Sequence, residues 1–158
     1  MCSTALARHQ IEVVCQFDPI PPIMVDRHLM LQILVNLINN AKQALDARPE
    51  GRRLTLRIAS SEGGRVRVEV EDNGTGIARE NLTRIFQHGF TTKKTGHGFG
   101  LHSGANTARE MGGSLPVHSD GPGTGATFIL ELPLSQKCCS SFAQTCRSRL
   151  RRRERADT

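Results

Sequence analysis

At 158 residues the chain is long enough for one domain with its own core and too short for two of ordinary size. It has six Phe but no Trp or Tyr, so stacking on nucleic acid bases would fall to Phe alone. The net charge of +6 is largely a terminal property: residues 135–158 hold seven of the 21 Lys and Arg against two of the 15 Asp and Glu.

The longest apolar run, LMLQILVNLI, is interrupted by Gln32 and Asn36 and is too short to span a bilayer. The first residues, MCSTALARHQ, carry no apolar signal core, and a cytoplasmic location is expected. Five cysteines stand at 2, 15, 138, 139 and 146 with no CxxC pair, which argues for reduced thiols. The spacing of Cys138, Cys139 and Cys146 is poor for a metal site.

In chain order, residues 1–10 read as a leader and residues 11–17, IEVVCQF, as a first strand. The segment DPIPPIMV carries three prolines and cannot be helical throughout. Asp26 is a candidate N-cap for a helix that runs to about Ala47, before Pro49 and Gly51. RLTLRIAS and RVRVEVE alternate polar and apolar on either side of SEGG, as an antiparallel hairpin would. A short helix is expected over 78–87, a loop over 88–100, and a helix from about Leu101 to Met111, stopped by Gly112 and Gly113. Two strands, SLPVHS and ATFILELP, flank the turn DGPGTG. The domain proper spans 11–134, and 135–158 reads as a basic, disordered tail.

The long helix is apolar on most sides and is expected to be largely buried. Gln32, Asn36, Asn40 and Gln43 nevertheless recur at spacings of four, four and three, on one face. Buried amides need partners. Either they bond to neighbouring backbone, or the stripe faces a metal–phosphate site, where an amide oxygen is a suitable hard ligand for Mg²⁺.

Two glycine-rich stretches sharpen the choice. TTKKTGHGFGLH places Gly96, Gly98 and Gly100 before a helix start, where backbone N–H groups can turn toward an anion. The spacing matches neither GxxxxGK[ST] nor GxGxxG, and a merely flexible loop is the alternative. EDNGTGI ends a strand in a carboxylate, an amide and two glycines. Read blandly, it is a turn with a solvated Asp. Read chemically, Asp72 accepts a hydrogen bond from an exocyclic amine such as that of adenine, and Gly74 and Gly76 leave room for the base.

These elements occur in an order that resembles the GHKL ATPase superfamily, and specifically the ATP-binding catalytic domain of sensor histidine kinases. The resemblance covers residues 10–134. NLINNA resembles the N box, DNGTGI the first glycine box, IFQHGFTTK the F box with Phe86, Phe90 and Lys93 at its marked positions, GHGFGL the second glycine box, and GTGATFILELP the closing strand motif. Phe99 stands where the family more often has Leu. The resemblance implies an α/β two-layer sandwich, with a mixed, largely antiparallel sheet and helices packed on one face. It implies ATP and Mg²⁺ as cofactors, with Asn40 on the metal and Asn36 and Lys93 at the phosphates. Asp72 would hold the adenine amine, with Gly74, Gly76 and Ile77 beside it and Thr127 helping through water. Phe90, Thr92, Gly96, His97, Gly98, Gly100 and Leu101 would also bind the nucleotide, and the lid from about His88 to Gly100 would be mobile without it.

The superfamily's ATP-hydrolysing members have a Glu four residues before the metal-binding Asn, acting as general base toward water. That position here is Asn36, which cannot accept a proton near neutral pH. Phosphoryl transfer to a protein side chain is favoured over fast hydrolysis. The family's phosphoacceptor is a His followed by an acidic residue on an upstream dimerising helix. None of the six His, at 9, 28, 88, 97, 102 and 118, precedes Asp or Glu. The chain is expected to be a catalytic module whose partner is a separate or missing histidine phosphoacceptor/dimerisation domain, with a response regulator downstream. Alternatives are an anti-sigma-factor-type protein-serine kinase and a non-catalytic nucleotide-binding remnant. His88, His97 and His102 read as incidental imidazoles of a loop, with a metal cluster as the alternative. The Arg-rich tail lacks aromatic interleaving, so nucleic acid is not the expected partner.

Overall fold

A computed structural model describes residues 10–91 and 98–134. The first strand, β1 (Glu12–Phe17), is followed by helix α1 (Arg27–Asp46), then by β2 (Arg53–Ser61) and β3 (Arg65–Asp72). Two 3-10 turns (Arg79–Asn81 and Arg84–Phe86) lead to helix α2 (Gly100–Glu110), and β4 (Val117–His118) and β5 (Ala126–Pro133) complete the order.

The five strands form one sheet in the order β1-β2-β3-β5-β4. β1 pairs with β2 in parallel, and every other pairing is antiparallel. A parallel pair needs a crossover, and α1 is that crossover. The two helices cover one face. Strand alternation turns Val66, Val68 and Val70 of β3 and Phe128, Leu130 and Leu132 of β5 into the core beneath them. The opposite face carries a charge ladder in which Arg57 pairs with Glu69 and Glu71, and Arg67 with Glu69 and Glu131. The expected mixed, two-layer α/β sandwich is the observed one.

Three local expectations change. The long helix is not largely buried: Ile33, Leu37, Ala41 and Leu45 form a single buried stripe, while Leu31 and Val35 are about half exposed. An amphipathic helix on a sheet has only one face to bury. The segment 78–87 is not an α-helix but two tight turns closed by i→i+3 bonds, such as Asn81 N–H to Ala78 O at 2.8 Å and Gln87 N–H to Arg84 O at 2.9 Å. Ten residues barely repay helix nucleation, and a 3-10 turn directs Ile85 and Phe86 against the core within one step. SLPVHS narrows to the two residues of β4 because Pro116 has no N–H to donate to the ladder, although its carbonyl accepts from Ile129 N–H at 2.9 Å.

Asp26 caps α1 as its chemistry requires, accepting from the N–H groups of His28 (2.8 Å) and Leu29 (3.2 Å). Replacing Asp26 with Ala is expected to cost about 1 kcal/mol in a denaturant titration, with Asp26→Asn near neutral. Leu37→Ala, at the centre of the buried stripe, is expected to cost about 2–5 kcal/mol.

Candidate functional site

A cavity of about 620 Å³ opens between α1, the turn after β3 and the start of α2. From α1, Asn36, Asn39, Asn40 and Gln43 line it. Three of the four amides in the expected stripe therefore face a common space. Gln32 does not; it lies exposed one turn before Asn36. Asn39 is a cavity residue that the spacing argument passed over, because it flanks the stripe instead of continuing it. Asn36 Nδ2 donates to the Gly100 carbonyl at 3.5 Å, which ties the amide row to the first residue of α2. Gly98, Gly100, Leu101 and Phe90 line the same cavity, with Phe99 and Thr91.

The opposite wall is the turn after β3, through Thr75, Gly76 and Ile77. Asp72 closes the strand before it, 3 % exposed and on the inward face of β3. Its Oδ1 accepts the Gly74 N–H at 2.9 Å. Asn73 faces elsewhere: its side chain accepts from Arg53 N–H and donates to the Gly51 carbonyl, both at 2.8 Å, and so anchors the start of β2. Ile77 N–H is held by Ser119 Oγ at 3.0 Å, and that hydroxyl donates to the Gly125 carbonyl at 2.6 Å. Ser119 is a site-building residue that the motif comparison did not mark, because it sits in a turn with no sequence signal of its own.

The glycines of this turn also have a packing reason. A Cβ on Gly74 would lie 2.6 Å from the Ala44 carbonyl carbon and oxygen, so the turn packs directly on the α1 backbone. Gly76 has φ +68° and a Cβ there would collide with the Gly121 carbonyl. Both serve the close fit of turn, helix and the 121–125 loop; Gly76 alone also lines the cavity. Thr127 is corrected. Phe128 points into the cavity, and the period-2 alternation of β5 puts its neighbour Thr127 on the other face of the sheet. Ala126, Cα partner of Asp72, occupies the inward position instead.

Thr92, Lys93, Gly96 and His97 lie outside the described residues, as does the Cys- and Arg-rich segment 135–158. Among the described residues no cluster of three or more His, Cys, Asp or Glu could hold a metal. The donor set of the cavity, amide oxygens without an adjacent carboxylate, fits a hard cation that takes most of its ligands from a bound polyphosphate and water. It does not fit a metal held by protein alone.

Gly74→Ala forces one of two backbones to move and is expected to cost about 1–3 kcal/mol. Gly104→Ala, where a Cβ on α2 would meet only Leu115 Cδ2 at 3.5 Å, is expected to stabilise by about 0.5–1 kcal/mol through helix propensity. Thermal and denaturant unfolding of the two variants checks both signs.

Comparison with known proteins agrees with this architecture. The model of the family described as histidine kinase-, DNA gyrase B- and HSP90-like ATPases matches residues 25–136. The signal transduction histidine-protein kinase AtoS of Escherichia coli is 35% identical over 136 residues, covering 85% of this chain and 22% of AtoS. Sensor histidine kinase ZraS of the same organism is 39% identical over 119 residues, covering 75% of this chain and 24% of ZraS. The chain thus spans less than a quarter of the length of these two relatives. Among solved structures, full-length ShkA in complex with AMPPNP superimposes with a TM-score of 0.74 at 30% identity, over 85% of this chain and 28% of ShkA. The nucleotide-free catalytic domain of histidine kinase ThkA gives 0.71 at 26% identity, over 85% and 87%. The chain belongs to the histidine kinase-, DNA gyrase B- and HSP90-like ATPase family, as a histidine kinase ATPase domain of the sensor-kinase kind.

Proposed function

We propose that this domain binds Mg²⁺-ATP in the cavity between α1, the turn after β3 and α2, and passes the γ-phosphoryl group to a histidine on a separate dimerisation/phosphoacceptor domain. A response regulator then receives it in two-component signalling. What carries the reading is the amide row of Asn36, Asn39 and Asn40 at the N-terminal end of α2, with buried Asp72 on the same inner face as the cavity. A base at the Asp72 end and phosphates at the α2 end would match acceptor to amine and helix N-terminus to anion.

In this reading Asp72 accepts the exocyclic amine of adenine, beside Gly74, Gly76 and Ile77. Asn40 supplies an oxygen to Mg²⁺, whose chemistry is to neutralise charge on the phosphates. Asn36 lines the phosphate site, and Lys93 with Thr92, Gly96, His97, Gly98, Gly100 and Leu101 completes it. The absence of a carboxylate at position 36 withholds a general base from water, which favours a protein nucleophile. The attacking imidazole nitrogen bonds to the γ-phosphorus as its bond to the bridging oxygen breaks, and ADP leaves. The sensor histidine kinases among its relatives do not favour the serine-kinase or remnant alternatives. Among the described residues no helix is long and apolar enough to cross a membrane; a cytoplasmic location is part of the proposal.

Incubation with labelled ATP, Mg²⁺ and a separately made phosphoacceptor helical domain is expected to leave acid-labile label on that domain. Acid-stable label on a serine, or tight binding with no transfer, would contradict the assignment. Asp72→Asn keeps an oxygen for the Gly74 N–H but replaces an acceptor with a donor. It is expected to weaken ATP about tenfold or more, the equivalent of one lost hydrogen bond; unchanged affinity would rule out the adenine role. Asn40→Asp is expected to change the Mg²⁺ concentration dependence and to leave adenosine binding intact.

A further inference from the structure

Two passages of the chain, Phe86–Phe90 before the second glycine box and Gly98–His102 from within it into α2, touch one another. A Cβ on Gly98 would fall 2.5 Å from the Gly89 carbonyl carbon and 2.6 Å from the Phe90 oxygen. The His88 ring lies 4.9 Å from the Phe99 ring and meets the His102 ring edge-on, at 5.3 Å and 87°. Together they form a neck whose inner side, through Phe90, Gly98, Gly100 and Leu101, is cavity wall.

His102 sits where the neck joins α2. Its Nδ1 is 2.9 Å from the Phe86 carbonyl oxygen, and its Nε2 is 3.1 Å from Asn106 Nδ2, one helical turn on. Arg109 NH1 donates to Asn106 Oδ1 at 3.1 Å. A carbonyl can only accept and a guanidinium can only donate, so the whole row has one direction. Arg109 donates to the Asn106 oxygen, the Asn106 amide donates to Nε2, and Nδ1–H donates to Phe86. Both contacts fit the tautomer of His102 with its hydrogen on Nδ1. The Asn106 contact is an ordinary i,i+4 pair within α2, whereas the Phe86 contact leaves the helix. Here the imidazole spans from α2 to the turn that precedes the glycine box.

We propose that His102 is a positioning residue, a pin that holds the two passages of the neck together and so fixes one wall of the cavity. The role rests on the nucleotide-binding reading above, because only a bound ligand makes the wall's placement matter. The pin acts through Phe86 and Asn106 and does not touch the phosphates.

Two variants of the whole chain test it. His102→Leu keeps the bulk and removes both hydrogen bonds; His102→Asn retains an N–H near the place of Nδ1. In the nucleotide-free protein, His102→Leu is expected to speed hydrogen exchange about tenfold at the Phe90 and Ser103 amides, which bond to the Gln87 and Phe99 carbonyls, with β3 and β5 unchanged. Imidazole nitrogen NMR of the unaltered protein is expected to show the Nδ1-protonated tautomer. ATP affinity is expected to fall about tenfold in His102→Leu and adenosine affinity less than twofold, with His102→Asn recovering most of the loss. Unchanged exchange at the neck, a uniform rise across the sheet, or the Nε2-protonated tautomer would overturn the pin, whatever the chain binds. ATP and adenosine weakened equally would overturn it as well. If the unaltered protein binds no ATP, the proposed function fails, and the exchange and tautomer results still decide whether His102 pins the neck.

Discussion

The turn after β3 lies directly on the backbone of Ala44 in α1, and the candidate site depends on that contact. Gly74 leaves no space for a side chain between them, and Thr75 N–H bonds to the Ala44 carbonyl at 3.3 Å. The contact sets the distance between the helix that bears Asn36, Asn39 and Asn40 and the strand that ends in Asp72. It also leaves the β-strand carboxylate buried, with its Oδ1 turned back to its own turn through Gly74 N–H. From the far side, Ser119 Oγ holds Ile77 N–H while Gly123 N–H bonds to the Thr75 carbonyl at 2.6 Å. The turn is thereby clamped between helix and loop. A preorganised wall of this kind is what a site needs if binding is not to be spent on ordering backbone.

The other side of the cavity is the start of α2. α2 begins at Gly100 with Phe99 as N-cap, which offers no capping side chain. The first amides of a helix are unsatisfied by the helix itself, and at this end they adjoin the amide row of α1. The Asn36 contact with the Gly100 carbonyl and the neck around His102 are what tether this end. Both walls combine close backbone packing, at Gly74 and at Gly98, with side-chain hydrogen bonds, from Ser119 on one side and from Asn36 and His102 on the other.

Much of this was legible in the sequence, and the reason lies in the type of signal. Strand alternation in RVRVEVE and ATFILELP, the Asp26 cap and the four-residue spacing of Asn36 and Asn40 each express a local period or a local hydrogen bond. Local rules survive folding. What could not be read was tertiary. Nothing in DNGTGI says that Gly74 is needed for a helix 30 residues earlier in the chain, and Ser119 becomes important only when its loop folds over Ile77. Thr127 differs for a simpler reason: the period-2 alternation of ATFILELP turns Ala126 and Phe128 inward and Thr127 to the other face. The turns over 79–86 failed because length and composition do not separate a short α-helix from 3-10 turns that tertiary contacts tighten.

The most direct test is an amide NMR titration of the protein with a non-hydrolysable ATP analogue and Mg²⁺. The account predicts that the largest shifts fall on Gly74–Ile77, on the side-chain amides of Asn36, Asn39 and Asn40, and on Gly98–Leu101, all saturating together. Shifts centred instead on the hollow beside Leu82, Leu115 and Val117, or no saturable shifts, would contradict it.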